Sequence, residues 1–242
     1  MIFDHRESYV FEVGNKNNLI NNLAGTFFTS DCTVLVRFKP DIEEMKSRYD
    51  EHNRYVGCVV GKNGHHMGLM TEIHTTAEDD FHVALAFEYW EFNSETQSNE
   101  IRQIKFYLTE EDFDEYLDVT IKRKENKFIV EFKGEVKEGT CENLADYSFS
   151  MLWIGAANRI VEDHNHIFYG DIDKLHLQET YLDDQYCKLF FNDYYKFLSE
   201  IGSKPEQRPI FSGDFKDITP YRIKDLSNNG NHPIIFRKEW MM

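Results

Sequence analysis

Residues 168–177 read Phe-Tyr-Gly-Asp-Ile-Asp-Lys-Leu-His-Leu, and this stretch carries the strongest structural signal in the chain. Gly170 follows two aromatic residues and permits a tight turn. Ile172, Leu175 and Leu177 then recur at largely alternating positions, which is typical of a strand with one buried face. The stretch predicts a turn that leads into a half-buried β-strand.

Similar strand patterns recur along most of the chain, in short apolar runs that are separated by turn residues. They cover residues 9–13, 32–38, 55–60, 68–74, 81–92, 116–124, 127–133, 149–156 and 171–177. Residues 93–103 are polar and are expected to form a loop. Because strands do not alternate with helices, the pattern predicts an all-β, antiparallel two-sheet β-sandwich of jelly-roll type.

One helix is predicted near the C-terminus, over about residues 183–201. Asp183 or Asp184 can cap its start, and Gly202 ends it. Its apolar residues recur at helical period: Tyr186, Leu189, Phe190, Tyr194, Phe197, Leu198 and Ile201. The charged residues 41–53 are compatible with a second, short surface helix.

The 242 residues, 41% of them hydrophobic, are enough for one sandwich with a generous core. We expect residues 1–182 to form the sandwich. Residues 183–242 are expected to add the helix and a closing segment, packed back on the sandwich as part of the same domain.

The formal net charge of -16 excludes one class of partner. Nucleic-acid binding depends on Lys and Arg side chains that displace counterions, so an acidic chain is not expected to bind a phosphate backbone. An acidic surface is compatible with divalent cations, with a basic protein partner or with simple solvation.

The first ten residues carry His5, Arg6 and Glu7 and have no continuous apolar core, so they predict no secretory signal. No apolar run is long enough to span a bilayer. We expect the protein either to stay in the cytoplasm or to leave the cell within a virus particle.

The four cysteines predict neither a zinc site nor a disulfide framework. They are widely spaced and form no C-x-x-C pair: Cys32, Cys58, Cys141 and Cys187. We expect buried, reduced thiols.

Several segments resemble the laminin-G-like branch of the concanavalin A-like β-sandwiches. Residues 168–177 resemble its late aromatic-x-Gly-x-Ile-Asp strand motif. Residues 59–64, Val-Val-Gly-Lys-Asn-Gly, resemble its hydrophobic pair before Gly-Lys-x-Gly, and residues 153–155, Trp-Ile-Gly, resemble its hydrophobic-Ile-Gly strand. The resemblance implies a jelly-roll fold and a module that binds sugars or proteins.

Residues 225–232, Asp-Leu-Ser-Asn-Asn-Gly-Asn-His, are similar to a segment that precedes the first strand in usual members of this branch. Here the segment follows the helix. An unpaired sheet edge promotes aggregation, so the C-terminus is expected to close either its own sandwich or that of a neighbour.

The sequence predicts no enzyme. Sugar-cleaving relatives use a Glu-x-Asp-x-x-Glu strand, and the chain has no such string. Glu88 and Glu91 are three residues apart in a strand, so they are expected to lie on opposite faces. No nucleophile motif and no H-E-x-x-H motif occurs.

A structural calcium ion is one implication of the resemblance. In related sandwiches the Asp that follows Ile in the closing strand helps to hold calcium, and Asp173 matches that position. Asp217 and Asp225 are candidate co-ligands if the C-terminal segment docks nearby. The alternative is that Asp173 only accepts backbone hydrogen bonds.

Candidate glycan-binding residues combine aromatic faces with polar neighbours. Trp90 and Phe92 lie together in one strand, whereas Tyr89 is expected in the core. The other candidates are Trp153, His164 and His166.

These observations favour a non-catalytic recognition or structural module. A virion component, such as a bacteriophage head or tail appendage, would bind a host glycan or a neighbouring virion protein and is compatible with a homo-oligomer. The alternatives are a free carbohydrate-binding, lectin-like protein and a divergent glycoside hydrolase.

Overall fold

The computed structural model describes residues 2–3, 9–13, 27–52, 55–62, 67–75, 81–145, 152–155, 167–204, 209–215, 218–219, 222–223, 226–227 and 234–237. The strands in this part of the chain are β1 (Ile2–Phe3), β2 (Tyr9–Val13), β3 (Cys32–Pro40), β4 (Tyr55–Lys62), β5 (Met67–Thr75), β6 (Phe81–Asn93), β7 (Ser98–Tyr107), β8 (Leu117–Lys124), β9 (Lys127–Phe132), β10 (Glu135–Thr140), β11 (Leu152–Ile154), β12 (Gly170–Gln178), β13 (Pro209–Asp214), β14 (Ile218–Thr219), β15 (Arg222–Ile223) and β16 (Ile234–Arg237). The helices are α1 (Ile42–His52), α2 (Asp184–Asn192) and α3 (Tyr194–Gly202), and a 3-10 helix occupies Glu110–Asp112.

The described strands form two antiparallel sheets. A seven-stranded sheet has the order β1-β12-β3-β8-β9-β10, with β13 also paired to β12. A nine-stranded sheet has the order β14-β15-β16-β2-β11-β4-β5-β6-β7. This arrangement confirms the predicted antiparallel sandwich.

The stretch at residues 168–177 forms most of β12, which lies between β3 on one side and β1 and β13 on the other. Ile172, Leu175 and Leu177 are fully buried. A β-bulge lies between Ile172 and Lys174. The bulge explains why these apolar residues are first three and then two positions apart, since the extra residue restores the inward direction.

The sequence pattern predicts only a turn at Gly170, but the structure also leaves no space for a side chain there. Its φ is 151°, and a Cβ atom there would lie 2.2 Å from the carbonyl oxygen of Lys39. A side chain at this position would separate β12 from β3.

Aromatic rings join the two sheets at the centre of the core. The ring of Phe128 in β9 lies 4.9 Å from that of Phe87 and 4.8 Å from that of Tyr89, both in β6. All three side chains are buried. Tyr89 is therefore a core residue, as expected.

Residues 93–103, expected as a loop, contain a turn at residues 94–97 and most of β7. β7 pairs with β6 over its whole length and lies at the edge of the nine-stranded sheet. The polar composition fits an edge strand, which faces water and avoids pairing with other chains.

The predicted C-terminal helix is divided into α2 and α3. Asp193 has φ -147° and ψ 81°, which ends α2, and its side chain accepts a hydrogen bond from the Lys196 N–H at 3.1 Å. It therefore caps α3. The apolar stripe forms a second core against Leu35 on the outer face of the seven-stranded sheet, with Leu182, Tyr186, Cys187, Phe190, Tyr194, Phe197 and Ile201.

The C-terminal segment joins the sheets of its own chain, which is one of the two expected alternatives. β13 pairs with β12, and β16 pairs with β2. Of residues 225–232, the structure describes 226–227, where the Leu226 N–H donates to the Ser212 carbonyl at 2.7 Å.

All four cysteines are free, and all four are buried, as expected. Burial raises the pKa of Cys32 to about 12 and those of Cys141 and Cys187 to about 11. It also raises the pKa of Cys58. Among the described residues, no helix has the length and apolar character needed to cross a membrane.

Candidate functional site

A cluster of polar side chains lies on the outer face of the nine-stranded sheet. In β6, Val83, Leu85, Phe87 and Tyr89 face the core, so the alternating residue Glu88 points outward. The strand register places Glu72 of β5 opposite Ala84 on the same face. We call the group formed by Glu72, His74, Glu88, Gln103 and Lys105 the carboxyl cluster.

Gln103 and Lys105 connect the members of the carboxyl cluster. The Gln103 amide donates to Glu88 Oε1 and, at 3.3 Å, to Glu72 Oε1. The Lys105 Nζ atom is 2.9 Å from Glu72 Oε2 and 2.9 Å from His74 Nε2. Glu72 thus has a neighbouring cation, whereas the side-chain partners of Glu88 are an amide and another carboxyl group.

The surroundings of Glu88 favour the protonated form of its carboxyl group. Burial, together with the charge of Glu72 and a hydrogen bond between the two carboxyls, raises the pKa of Glu88 to about 7. Gln103 and Lys105 oppose this increase without cancelling it. Near neutral pH the Glu88 carboxyl group can therefore give or accept a proton.

Two glycines lie beside the carboxyl cluster. The register aligns Trp153 of β11 with Gly61, Gly61 with Gly68, and Gly68 with Glu88. A Cβ atom at Gly68 would lie 2.5 Å from the Gly61 Cα atom. The strands therefore pack closely, and on the outer face only backbone separates the position of Trp153 from that of Glu88.

The structure brings three of the predicted glycan-binding residues to this same face. Trp90 and Phe92 lie two and four residues beyond Glu88 in β6, and Trp153 lies across the glycines. Phe92 is exposed and Trp90 is half-buried and packs against the core. Trp153 is 4% exposed and belongs to the buried hydrophobic core. His164 and His166 lie outside the described residues. The glycan-binding roles of all five stay predictions.

Asp173 lies at the bulge in β12, in the other sheet, and is buried. Its backbone carbonyl accepts the Phe215 N–H at 2.9 Å, and its Oδ2 atom is 3.7 Å from Lys174 Nζ. The pKa of Arg37 is raised, chiefly by its hydrogen bond to Asp118 and to a lesser degree by Asp173. Asp173 therefore faces two cationic side chains.

The described residues contain no group of three or more His, Cys, Asp or Glu side chains arranged to hold a metal ion. Asp217 and Asp225 lie outside the described residues. Calcium binding by Asp173 stays a prediction.

The sequence patterns did not identify the pair of Glu72 and Glu88, because they placed Glu88 only relative to Glu91. Glu88 and Glu91 do lie on opposite faces, since the Glu91 Oε2 atom is 3.1 Å from Arg102 Nε on the side away from the carboxyl cluster. The partner is Glu72, from the neighbouring strand. In the sequence, Glu72 was marked only by being a carboxylate within the apolar run at residues 68–74.

We expect the Glu88→Gln variant to change how stability depends on pH. The unfolded chain releases the Glu88 proton near pH 4.5 and the folded chain near 7. The stabilisation from this group is therefore complete below pH 4.5 and is lost as the pH rises through 7. As the pH rises from 5 to 8, the free energy of unfolding of the Glu88→Gln variant should therefore increase by about 2 kcal/mol relative to that of the parent chain. Urea denaturation at each pH measures this change.

Glu91→Gln is the matched control. Burial opposes the ionisation of Glu91, but the Glu142 N–H and Arg102 outweigh it and lower its pKa. The stability difference caused by Glu91→Gln should therefore be constant between pH 5 and 8. The same pH trend in both variants would contradict the assignment of the raised pKa to Glu88.

At the level of sequence, the chain matches no protein-family model and no curated protein. Among solved structures it is similar to domains LG4-5 of the mouse laminin alpha1 chain, with 8% identity and a TM-score of 0.35. That match covers 73% of this chain and 40% of the laminin chain.

A second similar structure is LamAcat from Zobellia galactanivorans, with 11% identity and a TM-score of 0.30, over 61% of this chain and 62% of that one. The chain thus spans less than two thirds of either neighbour. Its own two sheets establish an antiparallel β-sandwich.

Proposed function

We propose that the chain is a non-catalytic recognition module that binds a glycan on the outer face of the nine-stranded sheet, along β6 and β7. The observation that supports this most is a strip of apolar and polar side chains at one sheet edge. Phe92 and Ile101 are exposed there and Trp90 is half-buried, beside the exposed Asn99 and Gln103.

This strip suits a sugar chain chemically. Aromatic and aliphatic surfaces cover the apolar faces of sugar rings, while amides and carboxylates bind the hydroxyl groups. From Phe92 to Ala84 the outward positions extend over about 26 Å. That length suits an oligosaccharide better than a single sugar.

We further propose that the module acts in a virus particle, as a head or tail appendage that binds a host glycan or a neighbouring virion protein. Four free, buried cysteines suit a chain that folds in a reducing compartment. Capsid and tail genes beside its gene would support this setting. Polysaccharide-use genes there would favour a free lectin instead.

A glycan array tests the binding function. The parent chain should bind at least one glycan class, and Trp90→Ala and Phe92→Ala should each weaken binding about tenfold. Phe92 is exposed, so its variant separates lost binding from lost stability. Tyr195→Ala is the control, because Tyr195 is 73% exposed on α3, a helix that packs on the other sheet. Absence of glycan binding by the parent chain would overturn the proposal.

The carboxyl cluster favours a second candidate, a divergent glycoside hydrolase. Glycoside hydrolysis uses a pair of carboxyl groups of which one is protonated, and the raised pKa of Glu88 beside Glu72 fits that one requirement. The hydrogen bond between the two carboxyls places them closer than the separation of about 5 Å or more that such a pair needs. Glu72 and Glu88 are only 2% and 6% exposed, which limits access for a substrate. Oligosaccharide turnover that Glu88→Gln abolishes would establish the enzyme over the binding module.

A further inference from the structure

A cavity of about 540 Å³ lies at the rim of the sandwich, away from the carboxyl cluster. Four separate segments form it: the end of β3, the start of α1, the turn around the 3-10 helix and the start of β12. We call it the rim pocket. Because its walls come from elements held by both the seven-stranded sheet and a helix, its shape is part of the fold.

Part of the rim pocket is apolar. Pro40 and Ile42 are buried and Phe113 is half-buried. Gly170 also lines the cavity and adds no side chain to it. A ligand with hydrocarbon character can therefore pack against this part of the wall.

The remaining lining is charged and predominantly acidic. Five carboxylates, at Asp41, Glu43, Glu110, Asp114 and Asp171, stand against two ammonium groups, which leaves a formal excess of three negative charges. Lys39 is 3.5 Å from Asp114, and Lys46 is 3.7 Å from Glu43. These two pairs neutralise each lysine within the pocket.

An anionic ligand does not fit this lining, although the pocket adjoins the N-terminus of α1. Asp41 accepts the Glu44 N–H at 3.0 Å, and Glu43 and Glu44 lie in the first turn. Three carboxylates thus already occupy the positive end of the helix. The described residues also contain no metal-binding group of side chains. The fitting ligand is an organic cation with an apolar stem.

We propose that the rim pocket binds an arginine side chain from a basic segment of a partner protein. The guanidinium group is held among the carboxylates, and its methylene stem packs on Pro40 and beside Phe113, whose ring centre already lies 5.7 Å from Lys46 Nζ. Arginine suits the site because its planar group pairs with carboxylates and loses little hydration when it is partly buried. The net charge of -16 attracts a basic partner at long range. The proposal is independent of the glycan-binding strip.

The test uses the full chain and three small probes: N-acetyl-arginine amide, N-acetyl-lysine amide and the uncharged isostere N-acetyl-citrulline amide. Binding is followed by NMR titration. We expect saturable shifts at Phe113 and Gly170 with the arginine probe, at least fivefold weaker binding of the lysine probe, and no saturable binding of the citrulline probe.

Two double variants separate the pocket from general charge attraction. Glu110→Gln with Asp114→Asn removes two exposed carboxylates of the pocket and should weaken arginine binding at least tenfold. Glu111→Gln with Glu115→Gln makes the same change in net charge at exposed positions of the same turn that do not line the pocket, and should leave binding unchanged. Equal weakening in both variants would overturn the proposal, as would the absence of saturable binding.

Discussion

A chain that ends at Ser212 is expected to unfold at least about 10 °C below the full chain. The deletion removes the partners of Leu175 and Lys174 in β12, namely Gly213 and Asp214. It also removes the buried Phe215 and the strand β16 that pairs with β2. Loss of a buried Phe side chain alone costs about 3–5 kcal/mol, which is a large share of a typical domain's stability of about 5–15 kcal/mol.

Thermal unfolding followed by circular dichroism measures this effect. A chain that ends at Arg237 is the control, since it keeps β13 to β16, and its melting temperature should stay near that of the full chain. If the chain ending at Ser212 melts at the parent temperature, the C-terminal segment has no closing role in this sandwich.

The Phe190→Ala variant is expected to lose about 3–5 kcal/mol of unfolding free energy. Phe190 is fully buried at the centre of the layer formed by α2, α3 and the seven-stranded sheet. Its ring lies 5.3 Å from that of Phe197 and 5.4 Å from that of Tyr194. Truncation leaves a cavity that both helices border, so neither can close it without moving off the sheet.

Urea denaturation at a fixed pH gives the size of this loss. Tyr195→Ala is the control, because this neighbouring aromatic side chain is 73% exposed and its removal should change the free energy by less than about 0.5 kcal/mol. Similar losses in the two variants would mean that the helices do not form a packed core with the sheet.

Local sequence patterns predict the sandwich because each strand carries its own alternation of buried and exposed residues. The stretch at residues 168–177 shows this, and even its irregular spacing has a local cause, the bulge between Ile172 and Lys174. The helical stripe was equally visible. Its interruption at Asp193 was not, because an aspartate within a helix differs from an aspartate that caps the next helix only in its backbone angles.

The candidate sites were less predictable, because they depend on which strands are neighbours. Glu72 and Glu88 are sixteen positions apart, and only the register of β5 with β6 brings them to one face. The sequence suggested Trp153 as a glycan-binding aromatic residue, but its side chain is only 4% exposed. The rim pocket joins four segments, from Lys39 to Asp171, so no single motif could indicate it.

The four buried thiols can report local opening of the folded chain. Cys32 lies in β3, Cys58 in β4, Cys141 after β10 and Cys187 in α2. A thiolate is the reactive form towards alkylating reagents, and burial suppresses its formation at all four positions. Each sulfur is therefore labelled only when its own region opens. The four labelling rates thus report how often each region of the native chain opens locally.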